Sequence, residues 1–240
     1  MSYDFSNRHI IITGGAGSLG TAVVQLLIEK GASCSVPCFN KKEQDSFDLK
    51  DHPRVFSQAG IDLTDEEQTQ SFYADAIDKQ GTLWASINIA GGFKMGKIED
   101  TPLADFEKQF KLNTVTCYNA CRTAIYWMRN SDYDGGRIVN IAARPALEPR
   151  QGKRMSAYTV SKAGVAALTE SLAAEVVDDD ILVNAIAPSA IDTPQNRNSM
   201  PNANFDNWLN PRQLAKNILF LVSADNEITR GSIIPVYGKS

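Results

Sequence analysis

The chain predicts an α/β fold built on a doubly wound parallel sheet of about seven strands with helices on both faces, and three observations carry that prediction. Short apolar runs alternate with helical patterns along the whole sequence, as crossover helices between parallel strands require. A glycine-rich turn joins the first apolar run to the first helical one. The length of 240 residues, 43% hydrophobic and 22% charged, suffices for one large core.

The elements follow in order. Residues 10–13, three isoleucines and a threonine, form the first strand, and the first helix covers 20–30. Strands at 33–39 and 54–58 precede a helix at 65–80. The strand at 84–89 leads into a long helical stretch, 103–129, and the strand at 137–141 into another, 157–177, rich in alanine and leucine. A strand at 181–187, a helix at 211–223 and a strand at 232–236 complete the series. Right-handed crossovers place the helices on both faces. The stretch 194–208 is too polar and broken for a core element, so 194–210 is expected to cover a site. No repeat, linker or low-complexity tract divides 1–240, which reads as one domain.

Composition narrows the function. A net charge of −4 argues against nucleic acid or an anionic membrane as the main partner. The longest apolar runs are strand-sized and residues 1–8 lack a signal-peptide core, so a soluble cytoplasmic protein acting on a small molecule is expected. Cys34 and Cys38 lie in a predicted strand, where four residues span about 13 Å, too far for one tetrahedral metal. Cys117 and Cys121 fall in a helical run and read as packed thiols; no metal site is expected. The two histidines, His9 and His52, flank no serine, cysteine or carboxylate motif, so a histidine-based triad is unsupported.

Acid–base chemistry then points to Tyr158 and Lys162. Four residues apart on a helix, they share one face, and a cation beside a phenol is expected to lower its pKa. The turn Thr13-Gly14-Gly15-Ala16-Gly17-Ser18-Leu19-Gly20, between strand and helix, suits a pyrophosphate, whose charge free N–H groups at a helix start stabilise.

Together these segments resemble the short-chain dehydrogenases/reductases, with their Rossmann-like fold. The resemblance rests on Thr13-Gly14-x-x-x-Ser18-x-Gly20, Asn88-Ile89-Ala90-Gly91, Asn113, Tyr158-x-x-x-Lys162 and Pro188-Ser189-x-Ile191-x-Thr193, in that order. Ser18 replaces the family's middle glycine, Ile89 its second asparagine and Ser189 the glycine after Pro188; Gly17 is expected to supply the turn. The resemblance implies an NAD(P)-dependent oxidoreductase in which Tyr158 donates a proton, Lys162 tunes it and Asn113 organises a water. It implies cofactor contacts from Thr13, Gly14, Gly17, Ser18, Leu19, Gly20, Asn40, Asp62, Leu63, Asn88, Ala90, Gly91, Tyr158, Lys162, Pro188, Ile191 and Thr193. It also implies a homodimer or homotetramer paired through the two long helices. No carboxylate ends the second strand to select NAD, and Lys41 and Lys42 point towards NADP.

The family's catalytic serine is missing: Ala143 stands in its place, and alanine offers no hydrogen bond. Ser156 lies two helical residues from Tyr158 and points to a different side. The quinonoid dihydropteridine reductases share this gap. The chain resembles them in Ala90-Gly91-Gly92-Phe93 and in Asp192-Thr193-Pro194-x-Asn196-Arg197-x-Ser199-Met200-Pro201-x-Ala203-x-Phe205-x-x-Trp208. That resemblance implies reduction of a quinonoid dihydropterin. The alternatives are reduction of another ketone, enone or quinone, and a non-catalytic nucleotide-binding sensor.

Overall fold

A computed structural model describes residues 3–131, 133 and 135–239. The strands are β1 (His9–Thr13), β2 (Ser33–Cys38), β3 (Val55–Ala59), β4 (Leu83–Asn88), β5 (Gly136–Ile141), β6 (Ile181–Pro188) and β7 (Ile233–Val236). They form one parallel sheet in the order β3-β2-β1-β4-β5-β6-β7. Each lies within one residue, at either end, of its expected position.

The helices are α1 (Ser18–Glu29), α2 (Lys41–Asp45), α3 (Glu66–Gln80), α4 (Leu103–Phe110), α5 (Thr116–Arg129), α6 (Arg144–Leu147), α7 (Ser156–Glu175), α8 (Pro194–Ser199) and α9 (Pro211–Val222). Alternate strand residues face opposite layers. Ile10 and Ile12 pack with Val23 and Leu27 of α1 and Ile218 of α9, while Ile11 packs with the layer of Phe72, Ala120 and Val165 from α3, α5 and α7. With both faces covered, every residue of β1, β4 and β6 is buried, which explains why these strands are continuous apolar runs rather than alternating ones.

The strand order reverses between β1 and β4, and a crevice opens there at the carboxyl ends. Thr13 ties those ends together: its carbonyl accepts from the Ile89 N–H at 3.1 Å and its Oγ1 from the Ala90 N–H at 3.2 Å.

Three segments differ from expectation. The stretch 103–129 is interrupted by a π-helical turn at Lys111–Val115, an inserted residue that a hydrophobic pattern barely registers. A short helix, α2, follows β2 because the Asn40 side chain caps it, accepting from the Glu43 N–H at 2.9 Å. Within 194–208, Thr193 caps α8 by accepting from the Asn196 N–H at 3.1 Å. The segment is pinned at its base, where the Asp192 and Leu209 N–H groups donate to the Leu209 and Ala190 carbonyls. Among the described residues no helix is long and apolar enough to cross a membrane.

Candidate active site

The glycine-rich turn opens a cleft of about 720 Å³. Gly14, at φ +66°, provides the left-handed turn, while Gly17 has ordinary extended backbone and caps α1 without a side chain. The turn expected at Gly17 therefore falls at Gly14. A side chain at Gly14 would approach the Ala90 N at 2.8 Å, and one at Gly20 would meet the Gly14 carbonyl at 2.1 Å. Their absence lets the backbone close up behind the cleft. α1 begins at Ser18, so its first-turn N–H groups are those of Ser18, Leu19 and Gly20, with no acidic residue beside them. This uncapped helix start at the cleft wall fits the pyrophosphate of a dinucleotide.

The rest of this cleft is lined by Asp62, Leu63, Ala90, Gly91, Ile191 and Thr193, with Phe39 and Glu43. Asp62 is held by Thr64, whose N–H and Oγ1 donate to Oδ1 at 2.9 and 2.8 Å. Leu63 is fixed through its carbonyl by Asn119 Nδ2 at 3.0 Å. Thr13 and Asn40 lie behind the lining, as strand clamp and helix cap. Asn88 is buried beneath it; its Nδ2 donates to Asn140 Oδ1 at 2.8 Å and its Oδ1 accepts from Ser86 Oγ at 2.9 Å. This network runs from Tyr73 through Ser86, Asn88 and Asn140 to Thr169, stitching α3, β4, β5 and α7 beneath the crevice. Every polar group in it has a partner, as burial demands. Its signal in the sequence is polar side chains inside otherwise apolar strands. The four cysteines are free and buried; Cys121 joins the network, donating to Asn140 Oδ1 at 3.3 Å.

A second cleft, of about 410 Å³, shares Leu19, Ile89, Gly91, Ile191, Gln195 and Asn196 with the first. Tyr158, Lys162, Asn113, Ala143 and Pro188 all line it, so the structure brings the expected catalytic set together. Tyr158 is half-buried, its ring edge-to-face with Phe93 at 4.9 Å, and its hydroxyl makes no hydrogen bond among the described residues. Lys162 is buried, donating to the Ile141 carbonyl at 2.6 Å, and burial pushes its ammonium down to about 8. Burial likewise pushes Tyr158 up to about 12. The expected lowering of the phenol by its neighbouring cation is thus absent here, because desolvation dominates and the ammonium is engaged by Ile141.

Asn113 sits in the π-helical turn, where Nδ2 donates to the Gly92 carbonyl at 2.9 Å and to Ser161 Oγ at 3.1 Å, and Oδ1 accepts from the Gly92 N–H at 3.1 Å. Ser161 Oγ in turn donates to the Tyr158 carbonyl at 2.8 Å. Asn113 therefore holds the Gly92 loop against the helix that carries the tyrosine. Ala143 is buried at the end of β5, and its place in the cleft wall leaves no hydroxyl there. Ser156 is exposed and lines a different depression, so it does not replace one. Phe93, Met155 and Met200 give the cleft apolar surface, beside the polar Arg144, Gln151, Ser189, Gln195 and Asn196. The arrangement suits a flat substrate held before a protonated phenol.

Residues 8–204 match the short chain dehydrogenase family. The 3-beta-hydroxysteroid dehydrogenase of Comamonas testosteroni is 29% identical over 97% of this chain and 95% of that protein. The 3-hydroxyacyl-CoA dehydrogenase type-2 of Drosophila melanogaster is 32% identical over 78% of this chain and 76% of its own length. The crystal structure of levodione reductase superposes with a TM-score of 0.87 at 25% identity, covering 98% of this chain and 97% of the other.

Proposed function

Because the chain belongs to the short-chain dehydrogenase family and is an NAD(P)-dependent oxidoreductase, we propose that it works as a reductase of an electron-poor, conjugated carbonyl or quinonoid substrate. The observation that carries this reading is the cleft wall itself, with Tyr158 and Lys162 one helical turn apart and Ala143 where a hydroxyl donor would stand. A bound nicotinamide supplies the hydride. Tyr158 donates the proton from Oη to the substrate heteroatom; a phenol pushed up to about 12 is fully protonated at neutral pH, which suits reduction. Lys162 places positive charge behind it, and Asn113 fixes the Gly92 loop. With no hydroxyl at position 143, a substrate that accepts the hydride readily fits this cleft best, since losing one oxyanion donor costs roughly 10²–10³ in rate. A quinonoid dihydropterin has that property and leads the candidates; other ketones, enones and quinones follow.

The coenzyme assigned by this reading is NADH. Glu43 lines the nucleotide cleft, its Oε2 accepting from the Phe39 N–H at 2.7 Å, so α2 supplies the carboxylate missing from the end of β2. Lys41 instead donates to Gln44 Oε1 at 2.9 Å and pairs with Asp45, and neither Lys41 nor Lys42 lines the cleft. A carboxylate there accepts ribose hydroxyls and repels a 2′-phosphate. This reading departs from the NADP preference drawn from the lysines, and the position of Glu43 is what supports it. A homodimer or homotetramer is proposed through α4, α5 and α7, where Leu103, Phe106, Tyr118 and Val160 are exposed. Sedimentation giving only monomer at micromolar concentration would remove that assembly.

The test is a panel of quinonoid dihydropterin, quinones, enones and simple ketones with NADH and NADPH in parallel, alongside Tyr158→Phe. Reduction of the electron-poor members, abolished in Tyr158→Phe with nucleotide binding kept, is expected. Nucleotide binding without turnover on any member would favour a sensor; turnover unchanged in Tyr158→Phe would remove Tyr158 from the mechanism.

A further inference from the structure

The substrate cleft carries charge of one sign. Its lining holds two cations, Arg144 and Lys162, and among the described residues no carboxylate, in a chain whose net charge is −4. Lys162 is engaged by the Ile141 carbonyl and belongs to the proton-donating machinery. Arg144 has no such assignment.

Arg144 is the first residue of α6, immediately after Ala143, and its side chain is one-quarter exposed. Two contacts orient it. It is ion-paired with Glu148, which lies outside the cleft lining one turn further along and accepts from its Nε at 3.0 Å, and its guanidinium lies 4.6 Å from the ring centroid of Tyr237, on the stretch following β7. The Nη amines make no hydrogen bond among the described residues. A guanidinium fixed by its Nε and one face, with its terminal amines unengaged, is prepared for a planar anion. The adjoining stretch 149–155, which contributes Gln151 and Met155 to the cleft, also carries exposed Arg150, Lys153 and Arg154.

We propose that Arg144 is the substrate-anchoring residue and that the substrate is a small, flat carbonyl compound bearing a carboxylate, which would displace the dihydropterin, a molecule with no carboxylate, from the lead. The proposal rests on the reading of this cleft as the reductase's substrate site. The apolar walls Phe93, Met155 and Met200 take the flat body, Tyr158 faces the reacting oxygen, and Arg144 takes the carboxylate. Charge here compensates for the alanine beside it: binding energy from a remote carboxylate positions the carbonyl, a task the missing serine would otherwise share.

The test uses NADH-loaded enzyme with benzoylformate, an aromatic α-keto acid, and its methyl ester as a neutral control. Equilibrium binding is read by NADH fluorescence and turnover by NADH absorbance. Wild type should bind the acid more tightly than the ester. Arg144→Gln should weaken acid binding roughly 10- to 100-fold while ester and NADH binding stay within about threefold, with Arg144→Lys recovering part of the loss. If Arg144 only clamps Tyr237, Arg144→Gln will lower thermal stability and weaken acid and ester alike, and the proposal falls. It falls too if wild type binds the acid no better than the ester. Arg144-dependent acid binding without benzoylformate reduction upholds the anchor while counting against the reductase reading, so the two fail separately.

Discussion

Replacing Lys162 by methionine should abolish reduction and stabilise the protein at neutral pH. The ammonium is 5% exposed, and its pKa falls from 10.5 to about 8 through burial. A depression of that size corresponds to about 3 kcal/mol of destabilisation by the charged form. Methionine is close in length and leaves the Ile141 carbonyl unpaired, a loss of about 2 kcal/mol, so the net gain at pH 7 is about 1 kcal/mol. The pH dependence identifies the cause. A lysine whose folded pKa is depressed binds fewer protons folded than unfolded between about 8 and 10.5, so wild-type stability rises through that window. The penalty is complete below pH 8 and gone above pH 10.5. The advantage of Lys162→Met should therefore reverse between pH 7 and pH 10: the difference moves by about 2–3 kcal/mol, leaving the variant the less stable protein at pH 10 by about 1 kcal/mol. Urea unfolding of both proteins at matched concentration measures it, since any oligomer makes stability concentration-dependent. A variant destabilised by several kcal/mol at pH 7, or a wild-type-to-variant difference that ignores pH, would refute the reasoning.

Other substitutions test neighbouring steps. Ala143→Ser should raise turnover of simple ketones roughly 10- to 100-fold relative to quinonoid substrates, measured as a kcat ratio; an unchanged ratio sinks the role given to the missing hydroxyl. Glu43→Gln should move the ratio of NADPH to NADH dissociation constants about tenfold towards NADPH by fluorescence titration, and no movement would return the choice to Lys41 and Lys42. His9, buried between the Gly81 carbonyl and Ser35 Oγ, is pushed down to about 4 by desolvation. Its folded pKa is depressed, so the stability it confers is present above about 6.5 and is lost as pH falls towards 4. His9→Gln should flatten that acid limb by up to about 3 kcal/mol; parallel wild-type and variant curves would contradict it.

The layered sheet was legible because parallel strands buried on both faces are mostly apolar, as Ile10, Ile11 and Ile12 show. That Tyr158 and Lys162 line one cleft was legible because a spacing of four fixes one helical face whatever the surroundings. Surroundings decided the rest. The phenol's pKa depends on desolvation and on where the ammonium points, and neither is written in a four-residue spacing. Asn88 stands in a motif, yet its amide serves a buried chain with Asn140, fifty-two positions away. Glu43 escaped notice because the carboxylate was sought at the end of β2, whereas a short helix capped by Asn40 carries it back to the same cleft. Arg144 is another residue that no motif marks. Its meaning comes from Glu148, Tyr237 and a cleft without carboxylates, which only the fold assembles. The same β5–α6 junction thus lacks a polar donor at 143 and presents a cation at 144. On the role proposed for Arg144, such a site finds its specificity in substrate charge rather than in a hydrogen bond from residue 143 to the reacting oxygen.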